Sequence, residues 1–359
     1  MQAVILAAGK STRTYPLTLT KPKPLLKAAN KTLLEHNLEN LRDFVDDVLI
    51  VVGYKKNLIK KVIGKKYKNL KIRYVEQKQQ LGTGHALSVT EPYIKGRFVL
   101  LMGDDIYSKN DIKNCIKHKY SILTARVNNQ SNASEPHSKR TRSQLSNFGV
   151  VIEKNGILAG FIEKPKKFVS DLISAAFYSL DKKIFQYIKK IKKSERNEFE
   201  LPDAIKLMSG KENLHCVKSR EWIPIVYAWD LLKADKILRK GKNIIGKNSK
   251  IYGNVKNSTI GDDCTIMGSV KNSIIMDKTI IDKNSIVEDS VIGEKVHFNG
   301  KIIAKNNVYS VIKDKKLIVK RLGAIIADNV KARNVIIKPG CKIWPNRIVS
   351  NKTIKQDII

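Results

Sequence analysis

Cysteine, acidic residues and aromatics are all scarce in this 359-residue chain, and long apolar runs are missing. The four cysteines, Cys115, Cys216, Cys264 and Cys341, form no Cys-x-x-Cys pair. That argues against a zinc module or a disulfide framework and leaves ordinary packed thiols. Apolar residues make up 42%, yet no run is long enough to span a bilayer. Met1 leads straight into a strand-like run with no room for a signal peptide, so a cytoplasmic protein without a membrane partner is expected. The 33 Asp and Glu face 68 Lys and Arg, for a net charge of +35. Such an excess can mark a nucleic-acid binder. Here the basic residues are spread along the whole chain, Lys outnumbers Arg several-fold, and aromatics reach only 7%. Nucleic-acid surfaces concentrate Arg with aromatics between them. No specific nucleic acid is therefore expected, although the field attracts polyanions, nucleotides and sugar phosphates among them.

A complete P-loop is missing as well. Gly9-Lys10-Ser11 supplies the second half of G-x-x-x-x-G-K-[ST], but the first glycine would fall on Val4, inside a strand-like run. What remains is a short buried strand, Ala3 to Leu6, running into Ala7, Ala8 and Gly9, whose side chains are small enough for a ligand to approach the backbone. The amides of the next turn can point at phosphate oxygens, and Arg13 and Lys23 can bring positive charge to the same place. The plainer reading is a tight strand-to-helix turn with solvated basic residues.

Up to about Trp229, strand-like runs alternate with helical ones. "VDDVLIVVG", "KIRYVEQ" and "FVLLMGDD" read as strands, and "TLLEHNLENLRDF" as a helix. The alternation predicts an α/β domain with a mostly parallel, Rossmann-like sheet and helices on both faces. Gly9, Gln77 and Asp104 each fall just past a strand, where such sheets bind ligands, so they could converge. Asp104 taken alone reads more simply as a cap or turn residue after a strand. Asn128 to Asn147 is polar and without apolar periodicity, and reads as a long loop.

From about Ile244 the pattern changes. Aliphatic residues recur every six positions: Ile245 and Ile251, Ile260 and Ile266, then Ile274, Ile280, Ile286 and Ile292. A six-residue period means one aliphatic residue per short strand and three strands per coil of a β-helix. "KNNVYSVIKDKKLIVKRLG" interrupts the repeat and should loop out, and "IIKPGCKIWPN" resumes it. The expected organisation is an α/β domain at 1–229, a linker helix at 230–243 and a left-handed β-helix at 244–359.

Three motifs in this order, "LAAGKSTR" with "KPKPLL", "EQKQQLGTGHAL" and "LMGDD", followed by hexapeptide repeats, resemble the sugar-1-phosphate nucleotidylyltransferases. The likeness is greatest to the bifunctional N-acetylglucosamine-1-phosphate uridylyltransferase/glucosamine-1-phosphate acetyltransferase type and covers nearly the whole chain. It implies that a nucleoside triphosphate (UTP or dTTP) and a sugar-1-phosphate give a nucleotide-sugar and pyrophosphate. Leu6, Ala7, Ala8, Gly9, Ser11 and Thr12 would line the nucleotide, and Gln77, Gly82 and Thr83 would read the base. Arg13 and Lys23 would be the catalytic cations, and Asp104 the Mg²⁺ ligand. Gly149, Glu163, Lys164 and Ser174 would meet the sugar, although Glu163 could also be a plain strand end closed by Pro165. The β-helix of such proteins implies a homo-oligomer, commonly a trimer.

The chain departs from the family in three places. "SAAFY" puts Ser174 where an Asn is usual and Ala176 where a Gly is usual. "EWIPIVYAWDLL" puts Pro224, which has no ligand atom, at the position of a second metal ligand, with Glu221 as a possible substitute. Lys283 falls where the acetyltransferase half requires a histidine, with His297 nearby but out of register, so little or no acetyl transfer is expected. Two alternatives stay open: a bifunctional enzyme that also acetylates, and a catalytically weak nucleotide-binding scaffold.

Overall fold

The computed structural model describes residues 1–126, 148–163, 165 and 167–359. The loop read at Asn128 to Asn147, and the sugar-site candidate Lys164, lie outside the described residues. The chain divides into two compact units, Met1–Gly9 with Leu34–Pro224, and Lys10–Leu33 with Ile225–Ile359. The sequence reading had kept Lys10–Leu33 with the first domain. No helix among the described residues is long and apolar enough to cross a membrane.

The first unit is built on a ten-stranded sheet. Four neighbouring strands run parallel in the order Leu70–Glu76, Asp47–Val52, Gln2–Ala7 and Phe98–Met102. Gln2–Ala7 is buried at every position, the unbroken apolar run that a parallel strand covered on both faces requires. Helices Lys56–Ile63 and Lys109–Ile116 return the chain between strands. The other half of the sheet is largely antiparallel and centres on Leu172–Leu180, which pairs with Ser121–Arg126, Phe98–Met102 and Gly149–Lys154. That strand loses register between Ser174 and Tyr178, where Ala176 takes φ +53°. An alanine pays about 1 kcal/mol for that left-handed conformation because its Cβ crowds the carbonyl. Ser174 offsets part of this, because its Oγ accepts the Ala176 amide at 3.0 Å.

The second unit is a left-handed β-helix preceded by the helix Asp230–Arg239. Six short strands, Ile244–Ile245, Thr259–Ile260, Ile274–Ile275, Val291–Ile292, Ile325–Ile326 and Lys342–Ile343, stack in parallel along one face. Ile260, Ile266, Val270, Ile275, Ile281, Val287 and Ile292 point inward into one continuous core. The expected period is there, but its extent and phase are corrected. Ile245 and Ile251, expected in the column, are 43% and 37% exposed. Of the pairs Ile274-Ile275, Ile280-Ile281 and Ile286-Val287 the continuous core takes the second member; Ile280 is 36% exposed and Ile286 half-buried, whereas Ile274 is itself buried outside that core. Each pair is a doublet of adjacent β-branched residues, so the six-residue spacing alone cannot choose between them. The interruption leaves the coil as a hairpin, Lys305–Ile312 and Lys315–Leu322, turned by Lys313 and Asp314 at φ +47° and +64°. The four cysteines are free, and burial pushes the Cys115 and Cys216 thiols up to about 12.

Two stability measurements check this account. In chemical denaturation, Ile275→Ala should cost about 2–5 kcal/mol by opening a cavity, whereas Ile280→Ala should cost about 0.5 kcal/mol or less. Ala176→Gly should raise stability by about 0.5–1 kcal/mol, because glycine takes the left-handed conformation without strain.

Candidate functional site

The parallel half of the first sheet sets one edge of carboxyl ends. Ala7 pairs with Val52, Val52 with Glu76, and Leu6 with Met102, so Gly9, Gly53, Gln77 and Asp104 follow on neighbouring strands. The strand ends that precede Gly9, Gln77 and Asp104 thus lie along one edge of the sheet. Backbone bonds knit this edge: Gln77 N donates to Val52 O at 2.9 Å, Tyr54 N to Ala8 O at 3.0 Å, and Gly103 N to Leu6 O at 2.9 Å. Leu6, Ala7 and Ala8 are buried, and Gly9 is exposed. A Cβ on Gly9 would meet nothing within 4 Å, so the packing of this chain does not itself demand a glycine there.

Two groups at this edge were not singled out from sequence. Gln80 donates through Nε2 to the Ala8 carbonyl at 2.7 Å. Gly53 is favoured by close approach, since a Cβ there would lie 3.0 Å from Ala8 O and 3.3 Å from Gln77 O. The run of glutamines in "EQKQQ" was the available signal for Gln80, but nothing local distinguishes its partner. The signal for Gly53 was a glycine directly after a strand.

Gln77 is narrower in function than its amide suggests. Its Nε2 donates to Gly82 O at 3.0 Å and faces His85 Nδ1 at 3.1 Å, so both donor hydrogens are turned onto the protein and a ligand is left the Oε1 acceptor. Gly82 sits at φ +97°, and a Cβ there would come within 2.6 Å of Phe199 O. Thr83 Oγ1 accepts from Leu201 N at 3.1 Å. Gly82 and Thr83 thus also dock the Phe199–Leu201 segment.

Three sugar-side candidates are brought together. Gly149 is the register partner of Glu163, and Ser174 lies one residue beyond the Ile173–Val150 pair. A Cβ on Gly149 would fall 2.4 Å from Phe161 Cε2 and 2.9 Å from Glu163 Oε2, so the close packing of this corner requires glycine. The Arg196 guanidinium lies 3.6 Å from Glu163 Oε1 and 2.8 Å from Glu200 Oε1. Nearby, Trp222 Nε1 is buried with no hydrogen-bond partner among the described residues, a donor that the sequence reading did not single out.

Asp104 and Asp105 are half-buried on the turn after Met102. The antiparallel bridge between Ile106 and Ile223 brings Pro224 beside this turn. Glu221 is exposed. Among the described residues, no group of three or more His, Cys, Asp or Glu could hold a metal ion.

In the second unit, Ser11 takes φ +52°, and its carbonyl accepts from Thr14 N at 3.1 Å, Thr14 Oγ1 at 2.7 Å and Thr18 Oγ1 at 3.0 Å. That knot shapes the loop bearing Thr12 and the half-buried Arg13. Lys23 opens a short 3-10 turn and is 5% exposed. Its charge acts on Asp230. Burial raises that carboxyl, while the backbone donors of Tyr227 and Val226, at 2.7 and 2.8 Å, and then Lys23 pull it down. Across neighbouring coils, His297 Nε2 faces Asp282 Oδ1 at 2.9 Å, and Lys283 is exposed.

Comparison with known proteins agrees with the geometry. Residues 2–240 match the family described as nucleotidyl transferase, and residues 241–334 match the GlmU-like C-terminal hexapeptide. "Bifunctional protein GlmU" of Methanococcus maripaludis is 32% identical, over 100% of this chain and 95% of that protein. Its namesake from Methanocaldococcus jannaschii is 34% identical over 96% of this chain and 92% of its own length. "UTP--glucose-1-phosphate uridylyltransferase AglF" of Haloferax volcanii is 31% identical over 67% of this chain and 97% of its own. A UDP-glucose pyrophosphorylase solved with UDP-glucose superposes with a TM-score of 0.57 at 20% identity, over 67% of this chain and 99% of that one, and shares the fold. The chain belongs to the nucleotidyl transferase family.

Proposed function

We propose that this protein joins a nucleoside triphosphate to a sugar-1-phosphate, making a nucleoside diphosphate sugar and pyrophosphate. The observation that carries the reading is the shared edge of parallel strands that presents Gly9, Gln77 and Asp104 together, in a chain similar along its length to enzymes of this kind. A phosphate oxygen of the sugar-1-phosphate attacks the α-phosphorus. The bond from that phosphorus to the β-phosphate oxygen breaks, and pyrophosphate departs in line. No protein nucleophile is needed, so catalysis consists of alignment and charge neutralisation. Ala8 and Gly9 let the nucleotide approach the backbone, Gln77 Oε1 accepts from the base, and UTP or dTTP is the expected donor. Arg13 would neutralise the departing pyrophosphate and Lys23 the reacting phosphates. Gly149, Glu163 and Ser174 would take the sugar, with Arg196 fixing the Glu163 carboxylate.

Mg²⁺ fits this donor set as an ion held mostly by phosphate. Asp104 would supply a carboxylate, Pro224 supplies nothing, and Mg²⁺ needs only one or two protein carboxylates when phosphates and water fill its shell. When bound, the ion would offset phosphate charge.

The outward Ile280, Ile336 and Ile348 of the β-helix suit a homo-oligomer, in which a second copy would cover them. His297, the sole histidine of the β-helix, paired with Asp282, is the group that favours additional acetyl transfer.

Pyrophosphate release should appear when purified protein meets UTP or dTTP with glucose-1-phosphate or N-acetylglucosamine-1-phosphate. Lys23→Met should lower kcat by about 10²–10³-fold without unfolding the protein. Release with no pair would favour a nucleotide-binding scaffold, and near-normal turnover of the variant would remove Lys23 from the chemistry.

A further inference from the structure

The segment carrying Lys23 is fastened to the β-helix coil by coil. Thr20 Oγ1 donates to Asp328 Oδ2 at 2.6 Å. Lys21 pairs with Glu294 and, at 3.1 Å, with Asp328. Lys27 pairs with Asp277. Asn30 Nδ2 donates to Ile260 O at 2.6 Å. Three of these acceptors stand two residues past the strands ending at Ile326, Ile292 and Ile275, and the fourth is the last residue of the strand ending at Ile260; the four strands are consecutive in the stack.

The carboxylates are held before the loop meets them. Asp277, Glu294 and Asp328 each stand two residues past the inward isoleucine of their coil. Asp277 Oδ1 accepts Asp262 N at 3.0 Å, and Asp328 Oδ1 accepts Glu294 N at 2.8 Å. One oxygen thus closes the neighbouring coil, and the other faces the loop. Stacked carboxylates repel one another unless cations intervene. Lys21, 9% exposed, and the half-buried Lys27 are those cations. Burial pulls the Lys27 ammonium down, but Asp277, with Glu294 and Asp262, more than offsets this and leaves it above its ordinary value. In a chain with a net charge of +35, acidic groups placed on successive coils opposite two lysines of one loop form a clamp rather than a scattered set of surface pairs.

We propose that Asp277, Glu294 and Asp328 are positioning residues for nucleotidyl transfer: they hold Thr20–Lys27, and through it Lys23, so that the hexapeptide region is a working part of the transferase. The ligand they govern without touching is the polyphosphate of the nucleotide. This rests on the function proposed above.

The test uses the full chain. Asp277→Asn keeps the Oδ1 acceptor for the Asp262 amide and replaces the Oδ2 that faces Lys27 with an uncharged NH2 donor. Glu294→Gln with Asp328→Asn does the same for Lys21. Each should lower kcat by about ten- to hundred-fold, leave the sugar-phosphate KM within about two-fold, and speed hydrogen exchange of amides in residues 17–27 but not in the β-helix strands. Lys27→Met should reproduce the Asp277→Asn loss, and the double variant should lose no more than either single one. Unchanged turnover in every variant, or additive losses in the double variant, overturns the proposal. If wild-type protein releases no pyrophosphate from any substrate pair, the transferase reading fails by itself. The clamp is then judged on exchange alone, and unchanged exchange in the variants refutes it.

Discussion

Asp235 ties together three stretches of the second unit that are far apart in sequence. Its Oδ1 accepts the Ala29 amide at 2.9 Å and Thr259 Oγ1 at 2.6 Å, and its Oδ2 accepts Arg239 Nε at 2.6 Å. Arg239 continues to the Lys242 carbonyl at 2.9 Å. Asp235 and Arg239 are both buried. A buried ion pair adds little net stability, because desolvation consumes most of its attraction, but removing one partner leaves an uncompensated charge. Its effect is on placement. One carboxylate sets the Lys27–Thr32 hairpin, the helix Asp230–Arg239 and the coil at Thr259 in a single arrangement. The loop that begins at Lys10 is thereby fixed near its far end, and the carboxylates of the higher coils take the rest.

This arrangement explains why the division of the chain was hidden in its sequence. Alternating strands and helices were legible up to Trp229, and the loop after the first strand sits in the middle of that pattern. Propensity and period report on local structure, whereas the allegiance of Lys10–Leu33 depends on pairings such as Lys27 with Asp277, which no local pattern encodes. The shared edge of the strand ends before Gly9, Gln77 and Asp104 was legible because parallel strands present their carboxyl ends together. The direction of the Gln77 amide was not, because it depends on His85 and on the Gly82 carbonyl.

The β-helix shows the same boundary between what is local and what is not. Six-residue spacing announces the architecture, since three short strands per coil leave no other regular solution. Phase is a different matter. In Ile274-Ile275 and Ile280-Ile281 either residue could serve, and the six-residue spacing does not choose between them. Ala176 is a third case. The sequence displayed an unexpected alanine, but only the lost register at Ser174 reveals that it carries backbone strain and that the neighbouring serine hydroxyl relieves it.

Charge links the loop to the chemistry. Lys21 and Lys27 flank Lys23 and face carboxylates of the coils, so much of their charge is neutralised locally, while Lys23 lies by the N-terminus of the helix that begins at Asp230. On the function proposed above, that division of labour gives neighbouring lysines of one short motif different tasks: two hold and one acts. It also bears on the metal. A strongly cationic chain repels a bare divalent ion and attracts a nucleotide, and Pro224 removes a carboxylate that would have favoured the ion on its own. With Asp104 as the expected protein ligand, Mg²⁺ would arrive with the nucleotide rather than before it. Metal affinity would then follow nucleotide affinity, because the phosphates supply both the ligands and the negative charge that the protein lacks.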